Sequence, residues 1–228
     1  GTIFLNQDLD YLLPMSKGIS NVVTYGTRAA ETIGTIKSAA PFLEVAIQST
    51  ERLSDNFTIQ TQLVGEYNLA NVLLAVSVGR HFAIDAVKIK SAIENYQPTN
   101  SRSQLIKRGT NTIILDAYNA NPSSMQVAIQ NFSKLEAVQK VLLLGSMAEL
   151  GEESKQEHQL LVELIQSYTW KDVVLVGDGF GKLSHPYVQL KNSSEAAQWF
   201  RAGQFINTHF LIKGSRSMKM ETILTEPA

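Results

Sequence analysis

The chain has 228 residues, 44% hydrophobic and 18% charged, with a formal net charge of -1. That balance belongs to a globular protein of one large or two modest domains, and it excludes both a global basic field for nucleic acid and an acidic solvating tail. The absence of cysteine excludes a disulfide framework and any thiolate ligand or nucleophile, and no apolar run approaches the roughly 20 residues of a membrane helix.

The first part is strand-rich and often interrupted. Thr2 to Leu5 is a short apolar run that ends at Asn6-Gln7-Asp8, and Val22 to Tyr25 is another that ends at Gly26. Residues 32–37, 41–48 and 57–64 alternate apolar and polar side chains as half-buried strands do, with Gly34, Pro41 and Ser54-Asp55-Asn56 as punctuation. The rhythm then becomes helical. Leu69, Val72, Leu73 and Val76 predict a helix over 68–82, and 84–96 reads as a second, with Asp85 as its N-cap. Gln97-Pro-Thr-Asn-Ser101 is polar and contains a proline that disfavours helix before it, so a domain boundary is expected between 1–98 and 99–228.

Continuous apolar runs alternate with helices in the second part. Thr112 to Leu115, Val141 to Leu144, Val173 to Val176 and Phe210 to Ile212 are short enough for strands buried on both faces, with a further short strand near 187–190. Helices are expected over 123–135, 152–168 and 194–205, and a last one starts near Ser217. The prediction is an α/β fold: an open, mostly parallel Rossmann-like sheet with helices on both faces, preceded by a strand-rich region with two helices.

In open α/β sheets ligands bind beyond the carboxyl ends of the strands. There the sequence puts Asp116, Tyr118, Asn119 and Asn121 after one strand, Gly145-Ser-Met147 and Glu149 after the next, and Lys213-Gly-Ser-Arg-Ser217 after the last. Carboxylate, carboxamides, hydroxyls and cations on one edge suit a zwitterionic or multiply hydrogen-bonding ligand. Asn121-Pro122 also reads as a helix start, with Asn at the N-cap and Pro at the first helical position, and a serine cap would account for part of the 213–217 segment. Gly177-Asp-Gly-Phe-Gly-Lys182 lacks the spacing of a nucleotide phosphate loop and is read as a strand-to-helix turn. His158 has no second histidine at ligand spacing, so no metal site is assigned, and the helical position alone favours surface or packing; Trp199-Phe200 reads as core.

Taken together, these motifs resemble the Mur ligase family. Asp116-Ala-Tyr-Asn-Ala-Asn-Pro-Ser-Ser-Met125, Gly145-Ser-Met-Ala-Glu-Leu-Gly151 and Lys213-Gly-Ser-Arg-Ser217 followed by Met220-Glu221 resemble, in order, the strand-end motifs of its D-alanyl-D-alanine-adding branch. Gly65-Glu-Tyr-Asn-Leu-Ala-Asn71 is similar to a segment of the family's central domain, with Tyr67 where a histidine usually stands, and Ser146 stands where Asp is usual. The other Mur ligases and folylpolyglutamate synthetase share the architecture without the Tyr-Asn-Ala-Asn-Pro string. A nicotinamide-dependent oxidoreductase or a non-catalytic Rossmann-like module would be the competing readings, and the first lacks its Gly-x-Gly-x-x-Gly turn.

The resemblance implies an ATP- and Mg2+-dependent amide-bond ligase joining D-alanyl-D-alanine to a UDP-N-acetylmuramoyl tripeptide in the cytoplasm, monomeric at full length, without membrane insertion or a nucleic-acid partner. It implies that 1–98 is the last portion of the central ATP-binding domain and 99–228 the C-terminal domain. The expectation is then a fragment that is inactive alone, with ATP and Mg2+ bound mainly by a part preceding Gly1. By the same resemblance Asn68 and Asn71 lie near the nucleotide, Arg102 reaches its phosphates and Asp116 its ribose, with Arg102 and Asp116 the catalytic candidates. Tyr118, Asn119, Asn121, Lys213, Ser215 and Arg216 belong to the dipeptide side, and no residue is implied as a metal ligand.

Overall fold

The computed structural model describes residues 1–39, 41–49, 56–99 and 101–225. Ser54 and Asp55, expected in a turn, and Asn100, expected in the linker, lie outside them. The chain divides into two compact units, Gly1–Gln97 and Pro98–Ala228.

The first unit runs β1 (Ile3–Asn6), α1 (Leu12–Met15), β2 (Val22–Gly26), β3 (Thr32–Ser38), β4 (Glu44–Ser49), β5 (Phe57–Gln60), α2 (Leu69–His81) and α3 (Ala86–Glu94). Its sheet has the order β1-β2-β3-β4-β5, parallel from β1 to β3 and antiparallel from β3 to β5. Val72, Leu73 and Val76 on one stripe of α2 pack into a core with Val45, Ile47 and Ile59, the inward residues of β4 and β5. That is the period-3.6 stripe meeting the period-2 face. Asp85 caps α3 by accepting the Val87 N–H at 2.8 Å. Two expectations need correction. Among the described residues the region has a third α-helix beside the two expected, α1, which at four residues is too short to show any periodicity. The strand expected over 57–64 ends at Gln60, where the Thr61 hydroxyl and N–H both turn to the Leu43 carbonyl.

The second unit runs β6 (Gln104–Arg108), β7 (Asn111–Asp116), α4 (Pro122–Lys134), β8 (Gln139–Gly145), α5 (Ser154–Gln166), β9 (Asp172–Val176), α6 (Asp178–Gly181), β10 (Val188–Leu190), α7 (Ser193–Ala202) and β11 (Thr208–Lys213). The order is β10-β9-β8-β11-β7-β6, with every pairing parallel except the β6–β7 hairpin. From β7 the chain steps towards β10 through α4 and α5, then returns through α7 to place β11 between β7 and β8. Right-handed crossovers in opposite directions put α4 and α5 on one face and α7 on the other. Ile113, Leu115, Val141, Leu143, Val174, Phe210 and Ile212 form the α7-side core with Phe200, and Trp199 packs against it.

β6 was absent from the expected elements: as an edge strand it is half exposed, and Gln104-Leu-Ile-Lys-Arg108 follows a polar linker. The helix expected from Ser217 is instead two short 3-10 segments, Arg216–Met218 and Met220–Leu224, separated by the left-handed Lys219. Gly177-Asp-Gly-Phe-Gly181 is the strand-to-helix turn expected of it, with α6 starting just after a Gly177 whose φ is +101°.

Candidate functional site at the carboxyl ends of β7, β8 and β11

β11 is the switch point of the second sheet. The chain leaves β7 and β8 towards the α4 and α5 face, but leaves β11 towards the α7 face, which opens a crevice at their carboxyl ends. The floor is tight. A Cβ on Gly214 would come within 3.0 Å of the Gly145 Cα, so the strand-end turns of β8 and β11 touch backbone to backbone.

Asp116 and Lys213, opposite one another in the β7–β11 register, form an ion pair of 2.5 Å. Lys213 is 2% exposed, and its ammonium also reaches the Asn119 carbonyl at 3.3 Å. The second Asp116 oxygen accepts the Ser103 N–H at 3.1 Å, and the Ala117 N–H donates to the Ser101 carbonyl. The carboxylate thus pins the loop before β6 to the end of β7. With about four lone-pair positions it still has room for a ligand hydroxyl.

Tyr118 projects outward, 41% exposed, between two guanidinium groups. Arg102 lies 3.7 Å from its ring centroid and Arg216 5.8 Å. Arg216 also pairs with Glu221 at 3.3 Å. Asn119 is exposed, with its side-chain oxygen held by the Ala120 N–H. Asn121 closes a reciprocal capping box with Ser124 at the start of α4, with Pro122 first in the helix, as the sequence predicted for a helix start. Ser215 is buried, and its hydroxyl donates to the Ser146 carbonyl at 2.7 Å. Arg102, Asp116, Tyr118, Asn119, Asn121, Lys213, Ser215 and Arg216 therefore share one sheet edge of one unit.

Asn68 and Asn71 belong to the first unit, at the start of α2. The buried Asn68 amide donates to the Val64 carbonyl at 2.9 Å, and the Asn71 amide to the Asn68 side-chain oxygen at 3.1 Å.

Two residues that matter to the edge were not singled out from sequence as site residues. Ser146 joins three turns: its hydroxyl donates to the Val176 carbonyl and accepts the Gly179 N–H, both at 3.1 Å, while its own carbonyl holds Ser215. His158 is fully buried on α5, and its Nε2 accepts the Met147 N–H at 3.0 Å. A signal was present: His158, Leu161, Val162 and Ile165 are the buried stripe of α5, so the histidine opens an apolar i, i+3, i+4, i+7 series.

Residues 101–209 match the family described as Mur ligase, glutamate ligase domain. Among curated proteins, the UDP-N-acetylmuramoyl-tripeptide–D-alanyl-D-alanine ligase of Bacillus subtilis is 31% identical over 179 residues, 72% of this chain and 38% of that one. The protein of the same name from Treponema pallidum is 27% identical over 218 residues, 90% of this chain and 46% of that one. The chain thus spans less than half the length of these relatives. A crystal structure of MurF from Acinetobacter baumannii superposes with a TM-score of 0.84 at 24% identity, over 98% of this chain and 51% of that one. A folylpolyglutamate synthase from Thermotoga maritima superposes with a TM-score of 0.65 at 13% identity, over 95% of this chain and 52% of that one, a likeness of fold alone. With the motifs of β7, β8 and β11 meeting at one switch point, and with a matching family model and curated relatives of one name in sequence, the chain belongs to the Mur ligase family.

Proposed function

We propose that this chain forms part of an ATP-dependent amide-bond ligase that adds D-alanyl-D-alanine to a UDP-N-acetylmuramoyl tripeptide in the cytoplasm, a step in building peptidoglycan precursors. The observation that carries the reading is the meeting of the Asp116–Lys213 pair with the Arg102–Tyr118–Arg216 stack at the switch point of the second sheet. Relatives bearing that activity in their names support it.

The donor set is cationic and amide-rich, which fits phosphate and carboxylate oxygens rather than a metal ion. Among the described residues no group of three His, Asp or Glu is placed to hold a metal, and the reading gives this chain no metal ligand. ATP, when bound with Mg2+, supplies the phosphoryl group that activates the terminal carboxylate of the tripeptide; the dipeptide amine then displaces phosphate and the amide bond forms. Arg102 is assigned to the phosphoryl oxygens, where a fixed cation offsets developing negative charge. Asp116 is assigned to the nucleotide through its remaining lone pairs. On the dipeptide side Tyr118, Asn119 and Arg216 are exposed and can touch ligand, the buried Lys213 and Ser215 act by holding the turns that carry them, and Asn121, also exposed, holds the start of α4.

Arg102→Ala in the complete ligase tests the reading, because the exposed side chain can be removed without opening a core. Turnover should fall by about 100-fold at an unchanged melting temperature. Turnover at the wild-type rate would remove Arg102 from the reaction.

A further inference from the structure

The ligase reading leaves the buried histidine of α5 without a task. Nδ1 of His158 lies 2.6 Å from the Ser154 carbonyl and so carries the proton, while Nε2 accepts the Met147 N–H at 3.0 Å. One neutral tautomer satisfies both contacts, and no other protonation state does. The Phe180 ring meets the imidazole edge-on at 4.7 Å, and α6 passes so close that a Cβ on Gly179 would lie 2.5 Å from Nε2. The ring therefore sits between the turns that follow β8 and β9.

Met147 adjoins Ser146, whose carbonyl receives both the hydroxyl and the N–H of Ser215, at 2.7 and 3.3 Å. Two residues thus separate the imidazole from the loop that carries Lys213, Ser215 and Arg216. A phenyl ring could fill much of the same volume, but it would leave the Met147 N–H without its acceptor in a residue only 5% exposed. We infer that His158 is a positioning residue for the dipeptide side of the site: by accepting the Met147 N–H it fixes the turn after β8, and through the Ser146 carbonyl it fixes the loop Lys213–Ser217. The positioning stands on hydrogen bonds within the second unit; only the identity of the ligand rests on the ligase reading.

The test compares His158→Gln with His158→Asn. A glutamine oxygen reaches the place of Nε2 and can accept the Met147 N–H, whereas asparagine is too short and matches Nδ1 alone. Amide hydrogen exchange on the chain itself should show Met147 and Ser215 still protected in the Gln variant. In the Asn variant both should exchange about ten-fold faster or more, with the mid-strand amides of Leu143 and Leu211 at wild-type rates. Equal protection in the two variants, or uniform acceleration across the sheet, overturns the positioning. In the complete ligase, His158→Asn should raise the KM for D-alanyl-D-alanine about ten-fold while that for ATP stays within about three-fold, and His158→Gln should hold both near wild type. An unchanged dipeptide KM in the Asn variant overturns the functional half. A wild-type ligase that does not use the dipeptide overturns the ligase reading instead, and the exchange result still decides the positioning.

Discussion

The two units bury polar side chains in different ways. In the first unit the buried Asn68 satisfies the Val64 carbonyl four residues away, and Thr61 turns to the Leu43 carbonyl where the end of β5 lies beside the start of β4. In the second unit Ser146, Lys213 and Ser215 bond through their side chains from one strand end to another, His158 reaches from α5 to the turn after β8, and the backbone of Ser103 reaches the Asp116 carboxylate. Burying polar groups costs free energy unless every partner is present. The second unit concentrates that cost at the carboxyl edge of its sheet, and the return is a crevice whose walls hold their places before any ligand arrives. Apolar exposure is arranged in the opposite sense: Leu9, Tyr11, Leu13, Met15 and Ile19 gather around α1 of the first unit.

The sharpest way to break this contrast is Asp116→Ala. It leaves the Lys213 ammonium, with a side chain only 3% exposed, without its carboxylate. Removing one partner of a buried pair should cost about 3 kcal/mol. In the first unit Lys37→Ala removes one partner of a pair whose side chains are 51% and 28% exposed, and should cost about 0–1 kcal/mol. Both tryptophans, Trp170 and Trp199, lie in the second unit, so urea unfolding followed by their fluorescence reports that unit; far-UV circular dichroism serves for the first. Equal losses in the two variants would mean that the carboxyl edge is no more costly to disturb than an ordinary surface. The same arithmetic makes Asp116→Ala a poor probe of chemistry, since it disturbs fold and site together.

A smaller and more even effect is expected at the helix caps. Asn121→Ala and Asp85→Ala each remove a side chain that accepts a backbone N–H in the first turn, and each should cost about 1 kcal/mol. Asn121→Ser keeps a capping oxygen and deletes the amide. If Asn121 acts only by holding the start of α4, Asn121→Ser leaves the KM for D-alanyl-D-alanine at its wild-type value in the complete ligase. A raised KM would place the amide itself against the dipeptide.

Most of the fold could be read from periodicity. The runs at 112–115, 141–144, 173–176 and 210–212 are strands because only a sheet covered on both faces buries every side chain in such a run, and their parallel order follows from the helices between them. β6 and α1 escaped notice because a half-exposed edge strand and a single helical turn carry too little pattern. The candidate site was legible as a set of strand-end residues, but not as partnerships. No spacing reveals that Lys213 pairs with Asp116 or that the Ser215 hydroxyl turns to the Ser146 carbonyl, because those bonds cross 97 and 69 residues of chain. Tyr118 between two arginines is equally invisible until β7 and β11 lie side by side.

The smallest expected effect is a pH dependence of the second unit, read through its two tryptophans. Burial pushes His158 below the ordinary histidine range, against the opposing pull of the Ser154 carbonyl and of Glu157. Burial does the same to His209, helped by Lys107 and Lys140. Other charged groups on the elements around His158 are Glu149, Glu152 and Glu153 in the turn before α5, Lys155 and Glu163 on α5, Asp178 on α6 and Lys134 at the end of α4. A histidine whose folded pKa is depressed binds its proton more readily in the unfolded chain. Its contribution to stability is therefore complete above the unfolded value of about 6.5 and is lost as pH falls towards the folded value. The tryptophan-detected melting temperature should decline between pH 7 and pH 5, and His158→Gln should flatten part of that decline while His209 retains the remainder. A wild-type curve that is level across this range would show that neither imidazole is held neutral by its surroundings. A decline that His158→Gln leaves untouched would assign the whole effect to His209, at the opposite end of β11 from the crevice.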